Sequence, residues 1–254
     1  MKFEEKIKER FLYSKKNNVL KILYFFLQRF KLKDLKRNYT VTGVDLLLDK
    51  FFKNINVTKG IYIDIGCNHP FSNNNTFLLY KNGWSGINID LDFHYIDMFN
   101  YFRPNDFNKQ EAIADRIGEM DFFFYHNKSA INTLSKETYF SRGSNAKEIK
   151  KIKTNTLDNI IQNSPYANKK INLLTIDVEG FEMNVLKGFS LEKYLPDIVI
   201  VEFTDNSLKK QEFYYHNIQS VINSEIYKHM LLNHYSFVNW IRSDLVFVSK
   251  YISN

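Results

Sequence analysis

The sequence predicts an α/β fold in which a doubly wound, mostly parallel sheet carries a site at the carboxyl ends of its strands. Two stretches support this prediction: GIYIDIGCN at 60–68 and LLTIDVEGFE at 173–182. Each is an apolar run rich in β-branched residues, followed by an acid and a glycine, as is typical of a buried parallel strand that meets a loop. Because ligands bind at that edge of open α/β sheets, we expect these residues to line a site.

Strands and helices alternate along the first half of the chain. The helical stretch 76–81 is closed by Asn82 and Gly83, and Pro104 stops the helical stretch 92–102. Around these helices, strands are expected at 60–65, 85–90 and ending near 113–114. This alternation is the pattern of a doubly wound parallel sheet.

The second half of the chain is less regular. The polar stretch 127–145 is interpreted as a substrate-facing loop, because long irregular connections in folded domains are usually functional or disordered. Two terminal β-rich stretches predict an antiparallel hairpin. The expected elements are strands at 120–125, 171–177 and 197–203, a helix over 181–187, and the hairpin at 235–240 and 244–251.

Length and composition indicate one packed domain with an extension before it. The 254 residues include 44% apolar and 16% aromatic residues, which is enough to bury a full core. We place a basic, partly helical extension at 1–40 and the domain at 41–254. A single cysteine, Cys67, excludes an intrachain disulfide and a zinc site built from cysteines, and favours a reducing, cytoplasmic location.

The positive charge of the chain is concentrated at its N-terminus. Residues 1–37 hold twelve Lys and Arg against four acids, a net +8, which leaves −1 of the total +7 for the rest. The body therefore gives no reason to expect a nucleic-acid partner. The apolar run 19–27 is shorter than the about 20 residues that span a bilayer. Two interpretations stay open: a helix packed on the body, or a basic amphipathic helix in peripheral contact with the inner membrane face or a partner.

The first strand ends in a turn that favours a nucleotide without phosphates. Only Gly66 stands where dinucleotide folds prefer three glycines, so S-adenosylmethionine fits better than a pyrophosphate ligand. Asp90 ends the second strand 24 residues after Gly66, close to where an acid binds ribose hydroxyls in such units. The alternative is that Asp64 and Asp90 are ordinary turn residues at strand ends.

Four stretches resemble the FkbM family of S-adenosylmethionine-dependent methyltransferases. They are 62–70, 75–90, 176–188 and 200–202, within a similarity over roughly 40–250 that excludes the extension. The resemblance implies a seven-stranded Rossmann-like methyltransferase sheet with an antiparallel C-terminal hairpin. It also implies O-methylation of a hydroxyl, commonly on sugars of surface glycans or on secondary metabolites. We expect a small carbohydrate-type acceptor: a sugar, a nucleotide-activated sugar or a surface glycan.

The resemblance also assigns roles to individual residues. It implies Asp64, Gly66 and Asn68 at the methionine end of the cofactor, and Asp90, followed by Leu91, at the ribose. Ile113 and Ala114 would lie beside the adenine. Cys67 stands where small residues are usual, and we interpret it as a packing residue within the cofactor turn.

Acids at the mouths of two strands are the candidates for catalysis. Asp177 and Glu179 follow the fourth strand, beside the expected sulfonium, and methyl transfer to an alcohol needs an in-line approach and a base. His69 is a further candidate base, or else a loop histidine with its hydrogen bonds satisfied. Asp177 and Glu202 end neighbouring strands, as in catechol-type methyltransferases, and would suit Mg²⁺ or Mn²⁺. Alternatively, Glu179 and Glu182 simply favour the start of the following helix.

Three other functional classes compete with a methyltransferase. Asp177 and Glu179 resemble the first acidic pair of metal-dependent exonucleases, but here the pair comes late, after three strands and a cofactor-like turn. A nicotinamide enzyme is disfavoured by the missing glycines. A non-enzymatic α/β scaffold, bound to a membrane or partner through its basic N-terminus, is the main alternative, since the same sheet hosts many functions.

Overall fold

Two β-sheets organise the computed structural model, which describes residues 38–126, 131–203 and 217–252. The strands are β1 (Ile61–Ile65), β2 (Ser85–Asp90), β3 (Phe107–Gln110), β4 (Ala112–Ile113), β5 (Gly118–Phe124), β6 (Glu148–Asn155), β7 (Leu173–Ile176), β8 (Ile198–Glu202), β9 (Tyr235–Ile241) and β10 (Asp244–Ser249). The larger sheet has seven strands in the order β3-β2-β1-β7-β8-β10-β9, and the smaller has the order β4-β6-β5. The pairs from β3 to β8 are parallel, and β10 is antiparallel to both β8 and β9. The predicted fold class is confirmed.

Helices cover both faces of the large sheet. Alternate residues along β1, β7 and β8 belong to two separate apolar clusters, as expected for strands buried on both faces. The helices are α1 (Val44–Asn54), α2 (Phe77–Lys81), α3 (Phe93–Phe102), α4 (Lys136–Ser141), α5 (Leu157–Gln162), α6 (Glu182–Lys187), α7 (Leu191–Tyr194), α8 (Ile218–Asn223) and α9 (Glu225–Leu232). Side chains of α1 pack in one cluster, and those of α5, α6 and α9 pack in the other.

The strand register brings four strand ends to one level. Ile65 at the end of β1 lies opposite Ile89 of β2 and Ile176 of β7, and Ile176 in turn lies opposite Val201 of β8. The next residue on each strand is therefore Gly66, Asp90, Asp177 or Glu202. Four residues that are far apart in the sequence are thus presented along a single edge of the sheet.

The third predicted strand is displaced in the structure. The third strand of the large sheet is β3, whereas Ala112 and Ile113 form β4, which pairs with β6 in the small sheet. The predicted loop at 127–145 also contains α4, and its residues 127–130 lie outside the described part of the chain. Both interpretations of the basic segment fall on residues 1–37, which are likewise outside it. Within the described ranges, every helix is too short or too polar to cross a membrane.

Candidate active site

A cavity of about 520 Å³ opens at the carboxyl ends of β1, β2, β7 and β8. The small sheet closes one side of it through Phe122 and Phe124 of β5. Eight of the twelve site residues predicted from the sequence line this cavity: Gly66, Asn68, Asp90, Leu91, Ile113, Asp177, Glu179 and Glu202. The structure therefore gathers the predicted cofactor residues and the predicted catalytic acids around one space.

Gly66 allows two strand ends to approach each other closely. Its φ is +75°, and a Cβ at this position would lie 1.8 Å from the backbone oxygen of Asp177. The Gly66 amide donates to the carbonyl of Ile89 at 2.9 Å. Only glycine combines this conformation with this proximity. A glycine is thus required at position 66 because the backbone of Asp177 lies directly against it.

The Asp90 carboxylate is fixed at the cavity wall by backbone amides. Its Oδ2 accepts from Asn68 N at 2.9 Å, and its Oδ1 accepts from Asp92 N at 2.8 Å. Burial raises the pKa of Asp90 to about 6, and the two amides act in the opposite direction. At neutral pH Asp90 is therefore an ionised acceptor, suitable for a pair of ligand hydroxyls. Beside it, Leu91 and Ile113 give the cavity an apolar wall.

Four predicted site residues lie outside the cavity lining. Asp64 is buried, and its Oδ2 accepts from Asn74 and Thr76. Cys67 packs against Ile96 and Phe99, and burial raises the pKa of its thiol, as expected of a packing residue. Ala114 is fully buried.

His69, the fourth, is occupied by its own loop. Its Nδ1 accepts from the amides of Phe71 and Ser72, at 3.4 and 3.2 Å. Desolvation lowers the pKa of His69, with a smaller effect in the same direction from His94. The roles assigned to these four residues in binding or catalysis stay predictions.

Three carboxylates meet beside the cofactor turn. Asp177, Glu179 and Glu202 each offer an oxygen, and these atoms lie within 4.8 Å of one another. Desolvation raises the pKa of Asp177 and of Glu202, and the charges of neighbouring acids raise both further, while a hydrogen bond with Glu202 acts in the opposite direction on Asp177. Solvent reaches Asp177 through the open cavity while protein surrounds its other sides, so the upward shift applies most fully when a ligand fills the cavity. Glu202 Oε2 is buried without a hydrogen-bond partner among the described residues.

The turn after Asp177 is built to present these acids. Glu179 and Gly180 both have positive φ, and the carboxylate of Glu182 accepts from the amides of Val178 and Gly180 at 3.0 Å each. A Cβ on Gly180 would lie 2.0 Å from Thr138 Oγ1. Glu182, Gly180 and the amide of Val178 thus hold the turn in this conformation.

Two residues of the stretch 127–145, which the sequence predicts to face the substrate, instead hold this turn, and the sequence does not indicate this contact. Arg142 Nη2 donates to Glu179 Oε2 at 2.5 Å, and Thr133 Oγ1 donates to the Glu179 carbonyl at 2.9 Å. Arg142 lies 37 residues before its partner, so no local pattern indicates the pair. Glu182 was considered only as a helix-start residue, and its place three residues after Glu179 is the signal that could have found it.

The strand order, the single-glycine turn and the acid at the end of β2 define the class as an α/β methyltransferase. A family model described as the methyltransferase FkbM domain matches residues 64–232, and the chain belongs to this family. The family implies S-adenosylmethionine as the methyl donor. The cavity lining, which combines the Asp90 carboxylate with the apolar side chains of Leu91 and Ile113, is compatible with that molecule.

Comparisons with solved structures and with curated proteins do not extend the family assignment. A solved structure from Pyrococcus horikoshii, assigned as an RNA methyltransferase, is similar over 90% of this chain and 98% of its own, with 11% identity and a TM-score of 0.36. That similarity is too low to bear on function. The comparison with curated proteins found no match.

Proposed function

We propose that the protein transfers a methyl group from S-adenosylmethionine to a hydroxyl of a carbohydrate, such as a sugar, a nucleotide-activated sugar or a surface glycan. The observation that carries the proposal is the carboxylate cluster placed directly against the cofactor turn, where Gly66 meets Asp177. A base at that point suits an alcohol, whose proton must leave during transfer. Asn132 and Ser243, which line the cavity, add hydrogen-bonding groups for a polyhydroxylated acceptor.

The cofactor-binding half of the cavity follows from the fixed groups around it. We propose that Asp90 binds the ribose hydroxyls and that Leu91 and Ile113 contact the adenine. Gly66 and Asn68 would lie at the methionine end. In this orientation the sulfonium faces the strand end that carries Asp177. An acceptor hydroxyl bound at that strand end would be positioned for in-line transfer.

The acid cluster supplies a place for the acceptor proton. Desolvation raises the pKa of Glu179 and the ion pair with Arg142 acts in the opposite direction, whereas neighbouring acids add to the rise at Asp177 and Glu202. A carboxylate with a raised pKa is the stronger base toward a hydroxyl once it is ionised, so with a pKa of about 8 for Asp177 proton transfer is favoured as pH rises toward that value. As the new C–O bond forms and the S–C bond breaks, the hydroxyl proton passes to the pair of Asp177 and Glu202, and S-adenosylhomocysteine is left.

The same donor set fits a divalent cation. Asp177 and Glu202, with Glu179, would hold Mg²⁺ or Mn²⁺, since hard cations prefer carboxylate oxygens and Glu202 Oε2 has no described partner. A bound cation would lower the pKa of the acceptor hydroxyl. Treatment with EDTA and add-back of each metal tests this. Full activity in a preparation shown by elemental analysis to be metal-free contradicts it and leaves the carboxylate base.

An acceptor screen tests the proposed reaction. The full chain is incubated with S-adenosylmethionine and a panel of nucleotide-activated sugars and oligosaccharides, and mass spectrometry records the products. We expect one acceptor class to gain one methyl group, and Asp177→Asn to abolish the gain. Methylation confined to RNA, protein or a carboxylate acceptor would contradict the carbohydrate proposal.

The basic segment suggests a location for the enzyme. We propose a cytoplasmic protein in peripheral contact with an anionic membrane surface through residues 1–37, which carry a net +8. Flotation of the full chain with anionic and with neutral vesicles tests this. Equal flotation with both, or with neither, contradicts the contact.

A further inference from the structure

Arg103 is a fully buried arginine behind the cofactor turn, and nothing in the proposed chemistry uses it. It follows the last residue of α3, where Pro104 prevents the helix from continuing and Arg103 adopts φ −131° and ψ 60°. The side chain runs inward beneath the rings of Phe77, Tyr80 and Phe99, which lie 4.8 to 5.3 Å from the guanidinium. Burying a charge at this depth is costly unless partners compensate it.

The partners of Arg103 lie mostly in the loop that follows the cofactor turn. Its Nη1 donates to Thr76 Oγ1 at 2.9 Å, and its Nη2 donates to Asn74 Oδ1 at 2.7 Å and to the carbonyl of Pro70. The planar guanidinium thus holds three points along residues 70–76. Arginine suits this task because its donors are fixed in one plane.

Thr76 and Asn74 connect Arg103 to the end of β1. Both side chains donate to Asp64 Oδ2, at 2.8 and 3.1 Å. Asn74 also donates to the carbonyl of Cys67 at 3.1 Å, inside the cofactor turn itself. Burial raises the pKa of Asp64, and the positive charge of Arg103 is the main influence in the opposite direction. The network therefore joins a buried cation to the backbone next to Gly66 and Asn68.

A second buried acid lies on the other side of the guanidinium. Arg103 Nη1 also donates to the hydroxyl of Tyr62 at 3.4 Å, and that hydroxyl donates to Asp106 at 2.5 Å. Asp106 in turn accepts from Gly86 N at 2.9 Å, at the start of β2. Arg103 thus lies between two acids, Asp64 and Asp106. Asp64 is part of β1, and Asp106 binds the backbone of β2. Both strands carry predicted cofactor residues at their carboxyl ends.

We propose that Arg103 is a positioning residue for the cofactor: it holds the loop at residues 66–76 in the conformation that shapes the methionine end of the cavity. It touches neither cofactor nor acceptor and acts through Asn74, Thr76 and the carbonyl of Cys67. The proposal rests on the proposed function, because it takes the cavity as the S-adenosylmethionine site. Removing Arg103 should therefore weaken cofactor binding and leave the acceptor end unchanged.

Calorimetric titration of the full chain with S-adenosylhomocysteine tests the proposal. We expect Arg103→Met to raise Kd at least tenfold with unchanged stoichiometry, and Arg103→Lys to give an intermediate value, since lysine keeps the charge but not the planar set of donors. Arg116→Met is the matched control, because Arg116 is exposed and its guanidinium forms, within the described part of the chain, a single ion pair, with its neighbour Asp115. It should bind as the wild type does.

A role confined to folding predicts a different result. Partial unfolding of Arg103→Met would lower the stoichiometry while the remaining sites keep the wild-type Kd, and this outcome overturns the proposal. If Arg103→Met does not fold, Thr76→Val removes one of the links to Asp64, and we expect a rise in Kd of about threefold or more. An unchanged Kd for folded Thr76→Val overturns the proposal equally.

Steady-state kinetics supply the second measurement. For Arg103→Lys, KM for S-adenosylmethionine should rise while KM for the acceptor stays within twofold of the wild type. A parallel rise in both contradicts a role limited to the cofactor loop. Absence of binding by the wild type itself would instead refute the proposed function, so the two failures are distinguishable.

Discussion

Two backbone amides fix the orientation of the Asp90 carboxylate at the cavity wall. Because two amides fix both oxygens, little rearrangement is needed when ribose hydroxyls arrive. A hydrogen bond to a charged group contributes about 1.5–3 kcal/mol. We therefore predict that Asp90→Ala weakens S-adenosylhomocysteine binding by roughly tenfold to a hundredfold, measured by calorimetry. Unchanged affinity in a folded variant removes Asp90 from the cofactor site.

The same residue gives the binding reaction a pH dependence. Its pKa is raised to about 6, so the free protein holds a proton below that pH and the carboxylate form dominates above it. Since the ionised form is the better acceptor for hydroxyls, affinity for S-adenosylhomocysteine should increase as pH rises from 5 to 7.5. Asp90→Asn should flatten this profile. A wild-type profile that falls or stays level over this range contradicts the assignment.

Asp177 belongs to the chemical step in this account. It lies in the acid cluster and not at the ribose, so Asp177→Asn should lower kcat by roughly a hundredfold or more while cofactor affinity changes little. Steady-state kinetics with an identified acceptor, together with cofactor titration, measure both effects. Normal kcat in the variant, or a loss confined to cofactor affinity, would exclude Asp177 as a base or metal ligand.

At the scale of elements, the site depends on how closely the turns after β1 and β7 approach. A methyl group at Gly66 would meet the Asp177 carbonyl, and the positive φ of Gly66 adds strain for any other residue. We predict that Gly66→Ala lowers the free energy of unfolding by more than about 1 kcal/mol and abolishes cofactor binding. Chemical denaturation and calorimetry supply the two measurements.

Gly118 offers a matched control for that substitution. A Cβ at Gly118, at the start of β5, would have no atom of the described residues within 4 Å apart from its own chain neighbours. Gly118→Ala should stay within about 0.5 kcal/mol of the wild type in stability and retain cofactor binding. If the two alanine variants behave alike, the close approach of the turns does not govern the site.

For the molecule as a whole, the sequence predicts the parallel core better than its surroundings. Strands β1, β7 and β8 consist mostly of buried apolar residues, so their composition identifies them directly. Strand β2 is apolar only on the face that carries Ile87 and Ile89. Strand β6 was missed because its lysines and glutamate are mostly exposed and only Thr154 is buried. The displaced third strand has a similar origin, since β3 is a short edge strand with partly exposed side chains.

The sequence predicts where site residues lie along the sheet edge better than it predicts which way their side chains point. Residues that follow strand ends, such as Gly66, Asp90 and Asp177, are located by topology alone because parallel strands present their carboxyl ends together. Whether a side chain then turns toward the cavity depends on partners elsewhere in the chain. Asp64 turns away toward Asn74 and Thr76, and no local pattern indicates that Arg103 lies behind them.

The central claim is that S-adenosylmethionine binds in the cavity at the carboxyl ends of β1, β2 and β7, with its sulfur beside the acid cluster. A crystal structure of the full chain with S-adenosylhomocysteine tests this most directly. We expect ribose hydroxyls within hydrogen-bond distance of Asp90, adenine against Leu91 and Ile113, and the sulfur next to Asp177. Electron density for the ligand elsewhere, or a ribose without contact to Asp90 and a sulfur distant from Asp177, would contradict this claim.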